Sequence, residues 1–133
     1  MRAVVKIIKL AVILAMAASL AIEGIAAEFL SGKELKTLVS GKRVYLSIPG
    51  GGEFPLHYQT NGRVDGSGEA TGFGKFFRPN DSGRWWVDAT KLCQQWKTWY
   101  DGKVFCFTIK RTGTNEIAWT RDDGYAGTAR IGE

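Results

Sequence analysis

From Arg43 to the end of the chain, apolar and polar residues alternate, and a turn signal interrupts the alternation every few positions. A period of two puts the two classes on opposite faces of an extended strand, so most of this chain is committed to half-buried β-strands. Val44, Leu46 and Ile48 alternate with Tyr45 and Ser47, and Pro49-Gly50-Gly51-Gly52 ends the run. Phe54, Leu56 and Tyr58 form the next apolar face, and Asn61-Gly62 predicts a tight type I′ hairpin turn. Residues 64–78, with Gly66, Gly68, Gly72 and Gly74, read as a loop plus an irregular strand, and 79–83 as a turn. Further strands are expected at 85–88, 91–96, 104–110, 116–120 and 125–131, with turns at 112–115 and 122–124. Such spacing predicts a mostly β chain: an antiparallel curled sheet or small barrel of about seven or eight strands. The 17 glycines suit a sheet that bends sharply.

One helix precedes the strands. Ser31-Gly32-Lys33-Glu34 is a capping box, in which the Ser31 hydroxyl accepts from the Glu34 N–H and Glu34 reaches back to Ser31. Leu30 and Leu35 are placed for a hydrophobic staple across the cap. Leu35, Leu38 and Val39 make one apolar face, and Gly41 supplies a left-handed stop. A short helix over 32–40 is expected, packed on the sheet because it is too short to stand alone.

The first segment reads as a secretory leader. Arg2, Lys6 and Lys9 precede an uncharged apolar run, Leu10 to Ile22, and small residues lead to Ala26 and Ala27. The division is a cleaved signal peptide over 1–27, with Ala26 as the alternative cleavage point, and a single disulfide-stapled β domain over 28–133. A retained membrane anchor is the rival, but Lys6 and Lys9 shorten the run below the about 20 apolar residues that a span needs. The expected location is therefore the periplasm. Three basic residues and one acid, Glu23, belong to the leader, so the net charge of +5 overstates how basic the mature domain is. A mildly basic exported domain suits anionic envelope polymers and not nucleic acid.

Export makes a disulfide permissible, and two cysteines allow one bridge, Cys93 to Cys106. A hairpin centred between Trp99 and Tyr100 sets them opposite each other. In that register Phe105, Phe107 and Ile109, with Leu92 and Trp96, face away from the bridge and make the core face.

The runs Leu35…Leu38-Val39-Ser40-Gly41-Lys42-Arg43-Val44, Gly83-Arg84-Trp85-Trp86-Val87, Lys91-Leu92-Cys93-Gln94-Gln95-Trp96 and Phe105-Cys106-Phe107 resemble those of a group of small exported proteobacterial proteins. That group carries a helix ending in Ser-Gly-Lys, a Gly-x-Trp-x-Val strand and a Leu-Cys…Cys hairpin. The resemblance spans most of residues 30–110. It implies export, a disulfide and a β fold. The group is of unknown function, so no catalytic residue is carried over.

No catalytic constellation, metal-ligand cluster or phosphate loop is visible. His57 is the only histidine and sits on the polar face of its strand. The carboxylates, Glu53, Asp65, Glu69, Asp81, Asp88, Asp101, Glu116, Asp122 and Asp123, lie mostly in turn contexts where Asp bonds its own backbone. Gly66-Ser67-Gly68 and Gly72-Phe73-Gly74 lack the Lys-Ser/Thr and following helix of a phosphate loop. Neither catalysis nor a cofactor is expected. Aromatics are the stronger signal. Adjacent Trp85 and Trp86 must face opposite sides of a strand, and Trp99 with Tyr100 sits at a hairpin tip. Trp85, Trp99 and Tyr100, with Arg84, Lys97 and Lys103, form the candidate ligand surface. Its target is an envelope glycan, a lipid surface or another envelope protein. The leading expectation is a non-catalytic accessory or binding protein of the periplasm. Alternatives are an inhibitor or assembly factor, a small hydrolase, and, if a closed barrel has an open mouth, a carrier of a small apolar ligand.

Overall fold

The computed structural model describes residues 29–68 and 80–133. The leader, Glu69, Gly72, Gly74 and Pro79 lie outside the described residues. Helix α1 (Gly32–Val39) is followed by β1 (Lys42–Ser47), β2 (Glu53–Tyr58), β3 (Arg63–Ser67), β4 (Asn80–Asp88), β5 (Lys91–Trp96), β6 (Val104–Gly113), β7 (Glu116–Arg121) and β8 (Ala126–Gly132). Each strand pairs antiparallel with the next, and β8 returns to pair with β1 through Val44↔Ile131 and Leu46↔Ala129. The result is a closed eight-stranded barrel in sequence order, with one short helix and one disulfide.

Alternation does the sorting. Val44, Leu56, Val64, Leu92, Ile109 and Ile117 face inward and are buried. Cys93 and Cys106 are register partners on the other face and are bridged, as the hairpin spacing predicts. No helix among the described residues is long and apolar enough to cross a membrane.

Helix α1 closes one end of the barrel. The Ser31 hydroxyl accepts from the Glu34 N–H at 3.3 Å. Glu34 does not reach back to the backbone; its carboxylate accepts from the Ser31 hydroxyl at 3.1 Å. Leu30 and Leu35 are both buried in the core, as a staple requires. Gly41 takes the left-handed conformation (φ 72°) and donates its N–H to the Tyr58 carbonyl, turning the chain from helix into barrel. Gly32 is seated so close to the Ala89 carbonyl in the β4–β5 turn that a Cβ would collide with it.

Two turns differ from expectation. At Asn61-Gly62 only Gly62 has positive φ, so the turn is not type I′. The Gln59 N–H donates to the Arg63 carbonyl and the Gly62 N–H to the Gln59 carbonyl, a three-residue loop ending in a left-handed glycine. Asn80 to Gly83 are not a turn. They open β4 and pair with Ser67, Gly66, Asp65 and Val64 of β3. These residues look like turn formers because they are small and polar, yet the strand uses them for close approach. A Cβ at Gly83 would collide with the Gln95 carbonyl, and Asp81 spends its carboxylate on another loop.

Candidate functional site

The eight inner faces are not packed solid. A cavity of about 610 Å³ runs from Val39 of α1 at the floor to Tyr100 and Arg121 at the opposite end. Eight strands enclose an interior just wide enough to be filled by side chains or to hold one small ligand. Here the walls are mainly Val, Leu, Ile, Phe and Trp. Among the described residues no histidine, cysteine or carboxylate lines the cavity, and no group of three or more potential ligands is placed to hold a metal ion.

Two glycines set the shape of the lumen. A Cβ on Gly66 would lie 2.5 Å from the Trp99 ring, and one on Gly127 would lie 2.6 Å from the Trp119 ring. Their missing side chains let these indoles lie across the wall. Trp99 is packed by Trp96 (ring centroids 4.6 Å apart) and Phe54 (5.5 Å). Asp81 holds the chain in this position, accepting from the N–H groups of Thr98 (2.8 Å) and Trp99 (2.9 Å). Burial pushes the Asp81 carboxyl up, but the donated backbone N–H groups outweigh it and leave it below the usual range.

At the same end, Arg121 lies among the rings of Phe105, Tyr125 and Tyr100 at 4.3, 4.7 and 5.3 Å. Its Nε and one terminal nitrogen donate to the two oxygens of Asp123, each at 2.7 Å. The bonded guanidinium holds the Asp123 carboxyl below its ordinary value. The cation at the mouth is thus already matched by an anion.

Polar atoms deeper in the lumen are few. The buried Tyr58 hydroxyl donates to Gln94 Oε1 at 2.7 Å. Burial raises the Tyr58 hydroxyl well above its ordinary range, so it stays protonated. Trp119 Nε1 is buried and finds no acceptor among the described residues. A sealed donor without a partner is uncommon in folded proteins.

The candidate surface expected from sequence is divided. Trp85 is not exposed. It is the inward member of the Trp85-Trp86 pair, 7% exposed, with its indole N–H donating to the Gln59 carbonyl at 2.8 Å. The register of β4 decides this, since Trp85 pairs with inward Gln94 and Trp86 with outward Cys93. Trp99 turns into the mouth and leaves the hairpin tip. Tyr100 is 57% exposed, and Lys97 and Lys103 are exposed beside it. Arg84 stays on the outer wall over the Trp86 ring (4.8 Å) and donates to Gln95 Oε1. His57 stands in register between Arg43 and Asp65, away from the lumen. Gln94 and Trp119 were not among the expected site residues. Strict alternation of Leu92, Gln94 and Trp96 is the signal that places Gln94 on the core face.

Comparison with protein-family models, with curated proteins and with solved structures finds no match to this chain. The chemistry of the lumen therefore carries the functional reading.

Proposed function

We propose that this protein is a non-catalytic binding protein of the cell envelope that takes one small apolar molecule into its barrel. The observation that carries the reading is the lumen itself. Native cores hold few voids larger than a water molecule, whereas this barrel leaves about 610 Å³ open between apolar walls. That lies within the roughly 300–1,000 Å³ of known small-molecule sites, which are mostly apolar with a few placed polar groups. An apolar occupant restores the contacts that an empty lumen forfeits. The leader-like first segment and the disulfide support a location outside the cytoplasm.

Titration of the full chain with the neutral dye N-phenylnaphthylamine tests the reading. Saturable enhancement of dye emission at one site per chain is expected, with quenching of the lumen tryptophans. Absence of saturable binding removes an apolar carrier from consideration and returns attention to the exposed residues around Tyr100.

A further inference from the structure

We propose that the occupant is a neutral apolar molecule bearing a carbonyl-type oxygen, and that the Gln94 amide N–H₂ selects it. This rests on the lumen being the binding site and names the chemistry that the site prefers. Gln94 is 6% exposed and lines the cavity among apolar neighbours. A buried side-chain amide has two donors and one acceptor oxygen to satisfy. Tyr58 decides which end is free. Its hydroxyl proton goes to Gln94 Oε1 and has no other acceptor among the described residues. The amide oxygen is thereby committed to β2, and no described residue accepts from Nε2. Nor is Nε2 sealed in the wall as Trp119 Nε1 is, so it keeps contact with the open lumen.

The rest of the lumen points the same way. Arg121, the one cation among the described residues of the lining, is bonded through two nitrogens to Asp123. An anionic head group would meet no free counter-charge among the described residues, which is costly in an apolar site. A hydrocarbon would leave the Gln94 donors unpaired. A ketone, ester or quinone oxygen would accept from them and bring no charge. Tyr58 also lines the cavity, but its hydroxyl is spent on the amide, so toward the ligand oxygen it acts as a positioning residue.

Displacement of N-phenylnaphthylamine from the full chain by three molecules of nearly equal shape tests this. They are acetylnaphthalene, ethylnaphthalene and naphthoate. Acetylnaphthalene is expected to displace the dye at about tenfold lower concentration than ethylnaphthalene, the value of one well-made hydrogen bond, with naphthoate weakest. In Gln94→Leu the two neutral probes should become equal, with ethylnaphthalene no weaker than before. The double variant Tyr58→Phe, Gln94→Leu removes the stranded hydroxyl and serves if the single change unfolds. Tyr58→Phe alone frees the amide to turn, so naphthylethanol, which can donate, should gain on acetylnaphthalene. A mere loss of packing would weaken all probes alike. Equal displacement by ketone and hydrocarbon in the unaltered chain overturns the assignment of Gln94 and leaves the lumen as a plain apolar site. Failure of the dye to bind overturns the binding reading and this one together, whereas a saturably bound dye that no probe displaces overturns this one alone.

Discussion

The two ends of the barrel are built on different terms. At the floor, Leu35 and Val39 of α1 are wholly buried, and Gly32 brings the helix against the β4–β5 turn with no room for a side chain. At the mouth, Trp99 and Arg121 are only partly covered, Tyr100 and Tyr125 are exposed, and the chain is held by a few polar contacts from Asp81 and Asp123. Dense burial at one end and sparse, charge-assisted contacts at the other imply that opening is cheap at the mouth and expensive at the floor. A barrel that exchanges an occupant needs that inequality, since a floor as loose as the mouth would let the fold open with it.

The largest effect should come from the floor. Leu35→Ala leaves a cavity under α1 and should cost about 4 kcal/mol, read as a fall in Tm in a circular-dichroism melt. If it costs no more than a change at the mouth, the two ends are not different in kind. Reduction of Cys93–Cys106 should come next, at about 3 kcal/mol in the chain-entropy account. This bridge ties the two strands that carry the Trp99 turn. Hydrogen exchange should therefore rise more in residues 97–104 than in α1, and a uniform rise would mean that the disulfide serves the whole barrel equally.

Asp81→Ala removes the acceptor from two backbone N–H groups at the mouth and should cost about 2 kcal/mol. It should also speed entry and exit of N-phenylnaphthylamine in stopped-flow mixing. Unchanged rates would show that the Trp99 turn does not control access. The same carboxyl gives the mouth an acid dependence. Its folded-state value is depressed, so its contribution is present above the ordinary value of 3.8 and is lost as pH falls through the lower folded value.

At neutral pH the smallest effect belongs to Tyr58, whose contribution changes only at the other extreme of pH. Its folded-state value is raised above the ordinary 10.0. Below pH 10.0 the hydroxyl is protonated in both states and stability is unaffected. As pH climbs past that value the unfolded chain gives up the proton first, and stability falls by at most about 1.4 kcal/mol per pH unit. Tyr58→Phe should flatten that part of a pH–melting curve; an unchanged slope would exclude Tyr58 as its source.

How far the sequence reaches follows the same division. The floor is written locally. Ser31, Glu34, Leu35 and Gly41 are neighbours, and each has a short-range reason to be where it is. The Cys93–Cys106 register is also legible, because one hairpin contains it. The mouth is written at long range. Trp99 turns inward because Gly66, on a strand far from it in sequence, leaves space for the ring, and because Asp81 on a third strand caps its backbone. Neither fact is visible beside Trp99. Likewise the choice between Trp85 and Trp86 hangs on the start of β4, where Asn80, Asp81, Ser82 and Gly83 imitate a turn. Closure through Val44 and Ile131 joins residues near the two ends of the strand series, and nothing local announces it.

That closure also governs how the protein can associate. In the described residues every strand has a partner on both sides. An open sheet of the same strands would end in a row of unsatisfied backbone N–H and C=O groups, a template on which further chains could add one after another. The described strands offer no such row. Whatever meets the wall of this barrel, including another copy, meets side chains, so surface substitutions and salt should govern assembly through that wall.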